Sequence, residues 1–224
     1  MNTKVKTWAS ALLAAATLNA ASAEVPAVNG NVGAKYASDY HRRGEILSEE
    51  ALQAQLGFNI AVGSVGLFGD LFTNQNTESS GNDTNEVTIG LNTSLFEDSV
   101  NAYLGVYNTD TGVGEDDLEA FASIGFNTFL SPAVSVYRDT DNSFYTYEGQ
   151  VSYDIDLDVV GLEVAGIVGN TDTSAAADTT YVGAKLTASR TFKDNINVYA
   201  DVALSDTDSR DNETVWGLGL RVKF

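Results

Sequence analysis

The chain has no cysteine, and its 224 residues include only two prolines, one histidine and one methionine. Without cysteine, an oxidising compartment offers neither a disulfide staple nor a thiol hazard. The single histidine, His41, leaves little scope for acid–base or nucleophilic chemistry. Ser38 and Ser48 are near it in sequence, but hydrolysis needs nucleophile, base and orienting group within hydrogen-bond reach, and no enzyme is expected. Basic residues are scarce, 12 against 31 acidic ones, for a formal charge of −19. A pI near 4.1 excludes electrostatic binding of nucleic acid. No phosphate loop or zinc pattern is present, and neither cofactor nor metal is expected.

Long apolar runs are also missing beyond the N-terminus. The one run there, about Ala9 to Leu18, follows Lys4 and Lys6 and precedes Ala21-Ser22-Ala23. A charged start, a short apolar stretch and an A-x-A site read as a secretory leader over residues 1–23, too short for a membrane helix. A retained anchor is the competing reading. Cleavage before Glu24 leaves a single domain, 24–224, with ten basic residues against thirty-one acidic ones, a net of −21. No later stretch sustains a helical period, so any membrane contact must be made by strands. A mean hydropathy of −0.10 fits that, because a barrel shows lipid only alternate residues.

What is present is alternation. Twelve segments of roughly ten residues carry apolar side chains at every second position, the period of half-buried strands. They are Val28–Tyr40, Ala51–Val62, Val65–Asn74, Asn85–Leu95, Val100–Thr109, Leu118–Thr128, Ala133–Asp139, Asn142–Ile155, Val159–Thr171, Tyr181–Phe192, Ile196–Ser205 and Thr214–Phe224. Connectors alternate as well. Those after odd strands are long and acidic, such as His41–Glu50 and Gln75–Thr84, with Arg138–Asn142 the short exception. Those after even strands are tight, such as Gly63-Ser64 and Lys193–Asn195. This predicts an all-β fold: a transmembrane, antiparallel, up-and-down barrel of twelve strands in the outer membrane, both ends periplasmic. Phe96, Phe129, Phe192 and Phe224 fall at the short-turn end, and Tyr36, Tyr40, Tyr145, Tyr147 and Trp216 toward the other, as two aromatic girdles would. The same rings would also suit the core of a soluble sandwich. Arg190 falls on the lipid side of the tenth strand, near enough to its turn to snorkel. Both prolines, Pro26 and Pro132, fall outside the strand ladders.

The polar faces carry the functional signal. They direct Asp70, Glu86, Glu119, Glu148, Glu163 and Asp201 inward, against Lys35, Lys185 and Arg221. Charges facing a lumen are either paired or hydrated. Pairing would give a closed structural web, whereas the acidic excess favours an aqueous, cation-preferring path for ions or small hydrophilic solutes. Inward glycines stand beside Phe68, Phe72, Tyr103, Tyr107, Phe121 and Tyr199, and these rings either line the wall or fill the centre. Twelve strands allow a passage narrower than the channel of a large porin. The alternative is a non-conducting barrel with a structural, adhesive or receptor role through its acidic loops. Expected partners are outer-membrane lipid and lipopolysaccharide, whose divalent ions the loop carboxylates would meet. The barrel-assembly machinery is another, with the terminal Phe224 as part of the insertion signal.

Ser38-Asp39-Tyr40-His41-Arg42-Arg43-Gly44 resembles the S-D-Y-x-x-R-G signature of the TorF-like porins, a family of small outer-membrane proteins. The following Glu50-Ala51-Leu52-Gln53-Ala54 is similar to that family's second strand, while His41-Arg42 departs from its usual apolar pair. The resemblance implies a porin-type barrel in which Ser38, Asp39, Tyr40, Arg43 and Gly44 are signature positions. Asp39 and Arg43 would pair across the loop base, with Gly44 allowing the reversal.

Overall fold

The computed structural model describes residues 28–42, 45–77, 83–111, 117–141, 144–172, 178–208 and 210–224. The proposed leader, Arg43 and Gly44 lie outside the described residues. Twelve strands follow one another: β1 Val28–Arg42, β2 Glu45–Val62, β3 Val65–Asn76, β4 Thr84–Leu95, β5 Val100–Asp110, β6 Asp117–Phe126, β7 Ala133–Asp139, β8 Tyr145–Asp156, β9 Gly161–Asp172, β10 Thr179–Phe192, β11 Ile196–Thr207 and β12 Arg210–Lys223. Each pairs antiparallel with its sequence neighbours. β12 returns to β1, closing the barrel, with Asn31 opposite Lys223 and Ala37 opposite Gly217. Closure pairs β1 with β12 from Asn31 to Ala37, a necessity wherever lipid offers no hydrogen bond. The last residue takes part: the Phe224 amide donates to the Gly30 carbonyl at 2.9 Å, and the Gly30 amide returns the bond at 2.8 Å.

Alternation in the sequence becomes an inside and an outside. Leu104, Val134, Leu218 and Trp216 are exposed on the outer surface. The buried set is largely polar, including Ser48, Asn74, Thr84, Thr109, Thr146, Glu119 and Asp201. A soluble sandwich would bury the first group and expose the second. Here the order is inverted, which closure around a polar interior requires. The weakly patterned β7 sits in the expected register, Ser135 opposite Ser123 and Val134 opposite Ile124, with Ser135 Oγ donating to Ser123 Oγ at 2.8 Å. Arg190 is exposed outside, its guanidinium 5.0 Å from the Phe192 ring centre and two residues from the β10–β11 turn.

Tight turns gather at one end. Lys193 and Asp194 both have positive φ, 50° and 63°, the conformation whose twist matches that of two flanking antiparallel strands. Gly63 (φ 63°) and Asp158 (φ 62°) make similar reversals. Phe96, Phe129, Phe192 and Phe224 are exposed at this end, and Tyr145, Tyr147 and Trp216 toward the opposite one.

Several strands outrun their hydrophobic pattern at the long-loop end. β2 begins at Glu45, not Ala51, and β12 at Arg210, not Thr214. Most of the expected first loop is therefore strand. A ladder needs only a partner, whereas apolar alternation persists only where one face must meet lipid, so the polar extensions carry no periodic signal. Conversely, β8 begins at Tyr145, three residues late, and β9 at Gly161, two residues late.

One departure from regular closure positions the interior site. The β1–β12 ladder stops at Ala37–Gly217. Beyond it β1 keeps β2 as its ladder partner, with a bulge between Tyr40 and His41. Ser38 Oγ patches the gap by accepting the Trp216 amide at 3.1 Å. The β2–β3 ladder likewise ends at Ala51–Asn76, and Glu50 just above it has φ 43°. The end of β1 and the start of β2 thus continue past the ladders of both neighbours.

Candidate functional site: the barrel interior

Strand parity turns the nine charged residues inward, and contacts locate each one. Lys35 on β1 reaches across β12 to Asp201 on β11, Nζ to Oδ1 at 2.9 Å. The crossing is possible because residue 217 is glycine. A Cβ there would lie 2.0 Å from Lys35 Cε. Asp70 accepts a bond from Gln55 Nε2 at 2.8 Å. Glu86 accepts the Tyr40 hydroxyl. Glu119 Oε2 faces Arg42 Nη2 at 3.2 Å, and Glu148 accepts the Tyr181 hydroxyl. Glu163, Lys185 and Arg221 line a cavity of about 320 Å³ near the short-turn end, with Asp154, Asp156 and Lys223. Some of the expected web therefore exists, while among the described residues no ion pair involves Glu163, Lys185 or Arg221.

Tyr40 is not in the outer aromatic girdle, contrary to its sequence parity. Its ring packs 5.2 Å from that of Phe72 inside the barrel. The ladder is interrupted before it, between Ala37 and Asp39, where no Ser38–Glu50 pair forms and Glu50 has φ 43°, so parity counted from Lys35 fails there. Arg42, expected in a solvated loop, is the residue that sequence reasoning missed. Its guanidinium lies 4.8 Å from the Tyr107 ring centre as well as on Glu119. No periodic signal marks it. The only hint was a basic residue in an acidic loop. The Asp39–Arg43 pairing and the Gly44 reversal fall on residues not described. His41 Nε2 lies 3.2 Å from Glu213 Oε2. The two nearby serines are engaged elsewhere, Ser38 by Trp216 and Ser48 by Asn74 Nδ2 at 2.7 Å. Among the described residues no three acidic or histidine side chains gather as a metal site would require.

The rings and the open space occupy different sides. Phe68, Tyr103, Phe121 and Tyr137 form one chain of contacts on β3, β5, β6 and β7, with centroids 5.8–6.4 Å apart. Phe68 lies over Gly90, and Tyr199 over Gly219, so these rings fold against the wall. A second cavity of about 600 Å³ is bordered mainly by β8–β12 and, at the long-loop end, by Asp39, Tyr40 and His41. Both cavities are lined by Glu163 and Lys185. The open space thus runs along the β8–β12 wall in two successive chambers meeting at one charge of each sign.

No protein-family model matches the chain, and no curated protein matches it. Solved structures do resemble it. The NanC porin superposes with a TM-score of 0.59 at 14% identity, covering 87% of this chain and 100% of that one. The KdgM porin in complex with disordered oligogalacturonate gives 0.57 at 12% identity, over 88% and 99%. An outer membrane channel from Pseudomonas putida F1 gives 0.54 at 13% identity, over 91% and 97%. These similarities establish the fold as that of outer-membrane porin and channel barrels.

Proposed function

We propose that this chain is a narrow outer-membrane channel of porin type, passing ions or small hydrophilic solutes and preferring cations. One observation carries the reading. Two successive polar chambers run along the wall, bordered by Asp39, Glu148, Asp154, Asp156, Glu163 and Asp201 against Lys35, Lys185, Arg221 and Lys223. Six carboxylates against four cations make the path net negative, and a narrow charged path in a low-dielectric wall concentrates counter-ions. The KdgM porin was captured with an oligogalacturonate, a polyanion. The acid excess here argues for the opposite preference. The exposed apolar belt with rings at both ends supports a membrane setting, and the S-D-Y-x-x-R-G resemblance supports placement among the TorF-like porins. Engagement of Ser38 and Ser48 away from His41 supports a non-enzymatic role.

Planar-bilayer recording of the purified barrel tests the proposal. Discrete channels are expected, with a reversal potential in a salt gradient of the sign that cations carry. Absence of channels above background removes the porin reading. It would favour a closed barrel with a structural, adhesive or receptor role, for which the interior bridge from Arg42 to Glu119 is the supporting observation.

A further inference from the structure

The end of β1, which outruns the β12 ladder, does not stand upright above the barrel. Tyr40 bonds to Glu86 on β4. Arg42 reaches Glu119 on β6 at 3.2 Å, five strands away around the wall. In a twelve-stranded ring that is almost the full diameter. Both ends of the bridge are largely buried, the side chains 16% and 8% exposed. The guanidinium also stacks on Tyr107, 4.8 Å from its ring centre. A charge-assisted bond with an added ring contact, both screened from water, is a fixed strut and not a wandering surface pair. On one side of the strut lies the wall carrying Phe68, Tyr103 and Phe121. On the other lies the chamber of about 600 Å³, which the end of β1 borders through Asp39, Tyr40 and His41.

Building on the channel reading, we infer that Arg42 is a size-determining residue. Its strut to Glu119 closes the long-loop mouth over the β3–β7 wall and confines solutes to the passage along β8–β12. The residue acts by position: it holds the end of β1 across the opening, and the width of what remains sets the largest solute.

The absence of cysteine makes the test clean, because an introduced thiol is the sole one. Thr88 lies on the inner face of β4, paired with Asp70 and Tyr107 on its neighbours, one inward position below Glu86. Ser152 lines the larger chamber. Thr88→Cys and Ser152→Cys are labelled in intact cells with a membrane-impermeant maleimide. Thr88→Cys is expected to react about tenfold more slowly than Ser152→Cys, and Arg42→Ala to bring the two rates within about twofold, as removal of a steric barrier would. In bilayers, Arg42→Ala should raise single-channel conductance about twofold and admit larger sugars in liposome swelling. The swap Arg42→Glu with Glu119→Arg should restore slow labelling at Thr88→Cys. Equal rates at the two thiols in the native background overturn the inference. So does a difference that survives Arg42→Ala in barrels whose heat-modifiable gel migration shows them folded. A swapped pair as open as Arg42→Ala also counts against the strut. If the native barrel gives no channel but the labelling pattern holds, the channel reading fails and the strut stands.

Discussion

At the scale of single residues, the interior is organised by reach. Lys35 and Asp201 sit two strands apart, and an intervening side chain would separate them. Glycine at 217 removes that obstacle. Asp201 is 7% exposed, and its Oδ2 has no hydrogen-bond partner, so Lys35 is its principal compensation. Lys35→Met should therefore destabilise the folded barrel by about 3 kcal/mol, the cost of leaving one buried charge unpaired. Lys35→Met with Asp201→Leu should recover most of that loss. Urea unfolding in lipid vesicles measures both, and a double variant as unstable as the single would show that the pair is not the cause. Gly217→Val should mimic Lys35→Met by forcing the lysine aside.

At the scale of elements, each strand has one lipid face and one lumen face, and the two tolerate charge differently. Leu104, mid-strand on β5 and 62% exposed, should lose about 2–4 kcal/mol when replaced by arginine, the penalty at a bilayer midplane. Ser152→Arg, inside the larger chamber, should cost under about 1 kcal/mol because water solvates the new charge. Equal penalties would mean that one of the two registers is wrong. β12 makes a separate prediction. Phe224 contributes its backbone to barrel closure and its ring to the exterior, and the two roles separate. Phe224→Ala keeps both bonds to Gly30, so its unfolding free energy should shift by no more than about 1 kcal/mol. Its yield of inserted barrel in cells should fall several-fold if the ring is what the insertion machinery reads. Deletion of Phe224 also removes both closure bonds and should lower yield and stability together.

At the scale of the whole molecule, charge is distributed unevenly around the ring. The named interior cations lie on β1, β10 and β12, and most of the interior carboxylates on β3–β9. A solute taking the proposed path would therefore cross a transverse field, and the two chambers meet where Glu163 and Lys185 border both. Reversing one sign at that junction should act on selectivity more than on stability. Lys185→Glu is expected to increase cation preference, and Glu163→Lys to reduce or reverse it, each read as a shift of reversal potential in a salt gradient. No shift from either variant would place the selecting region elsewhere.

Much of this was legible in the chain itself. Strand number, strand order and the facing of Lys35, Asp70, Glu148 or Arg221 follow from a period of two, because a pleated strand sends alternate side chains to opposite faces whatever surrounds it. Closure between β1 and β12 followed from the need to leave no edge in lipid. Three features did not follow. Alternation falls silent where strands leave the bilayer, so the extra length of β2 and β12 was hidden. The interruption at Ser38 and Glu50 resets parity without a sequence mark, so alternation alone places Tyr40 outward. Contacts across the lumen join residues that share no periodicity and no neighbouring strand, so nothing linear connects Arg42 to Glu119 or Lys35 to Asp201. Local pattern determines which face a side chain takes. Which side chains then meet across the interior is decided only when the ring closes, because closure alone sets the distance from one wall to the other.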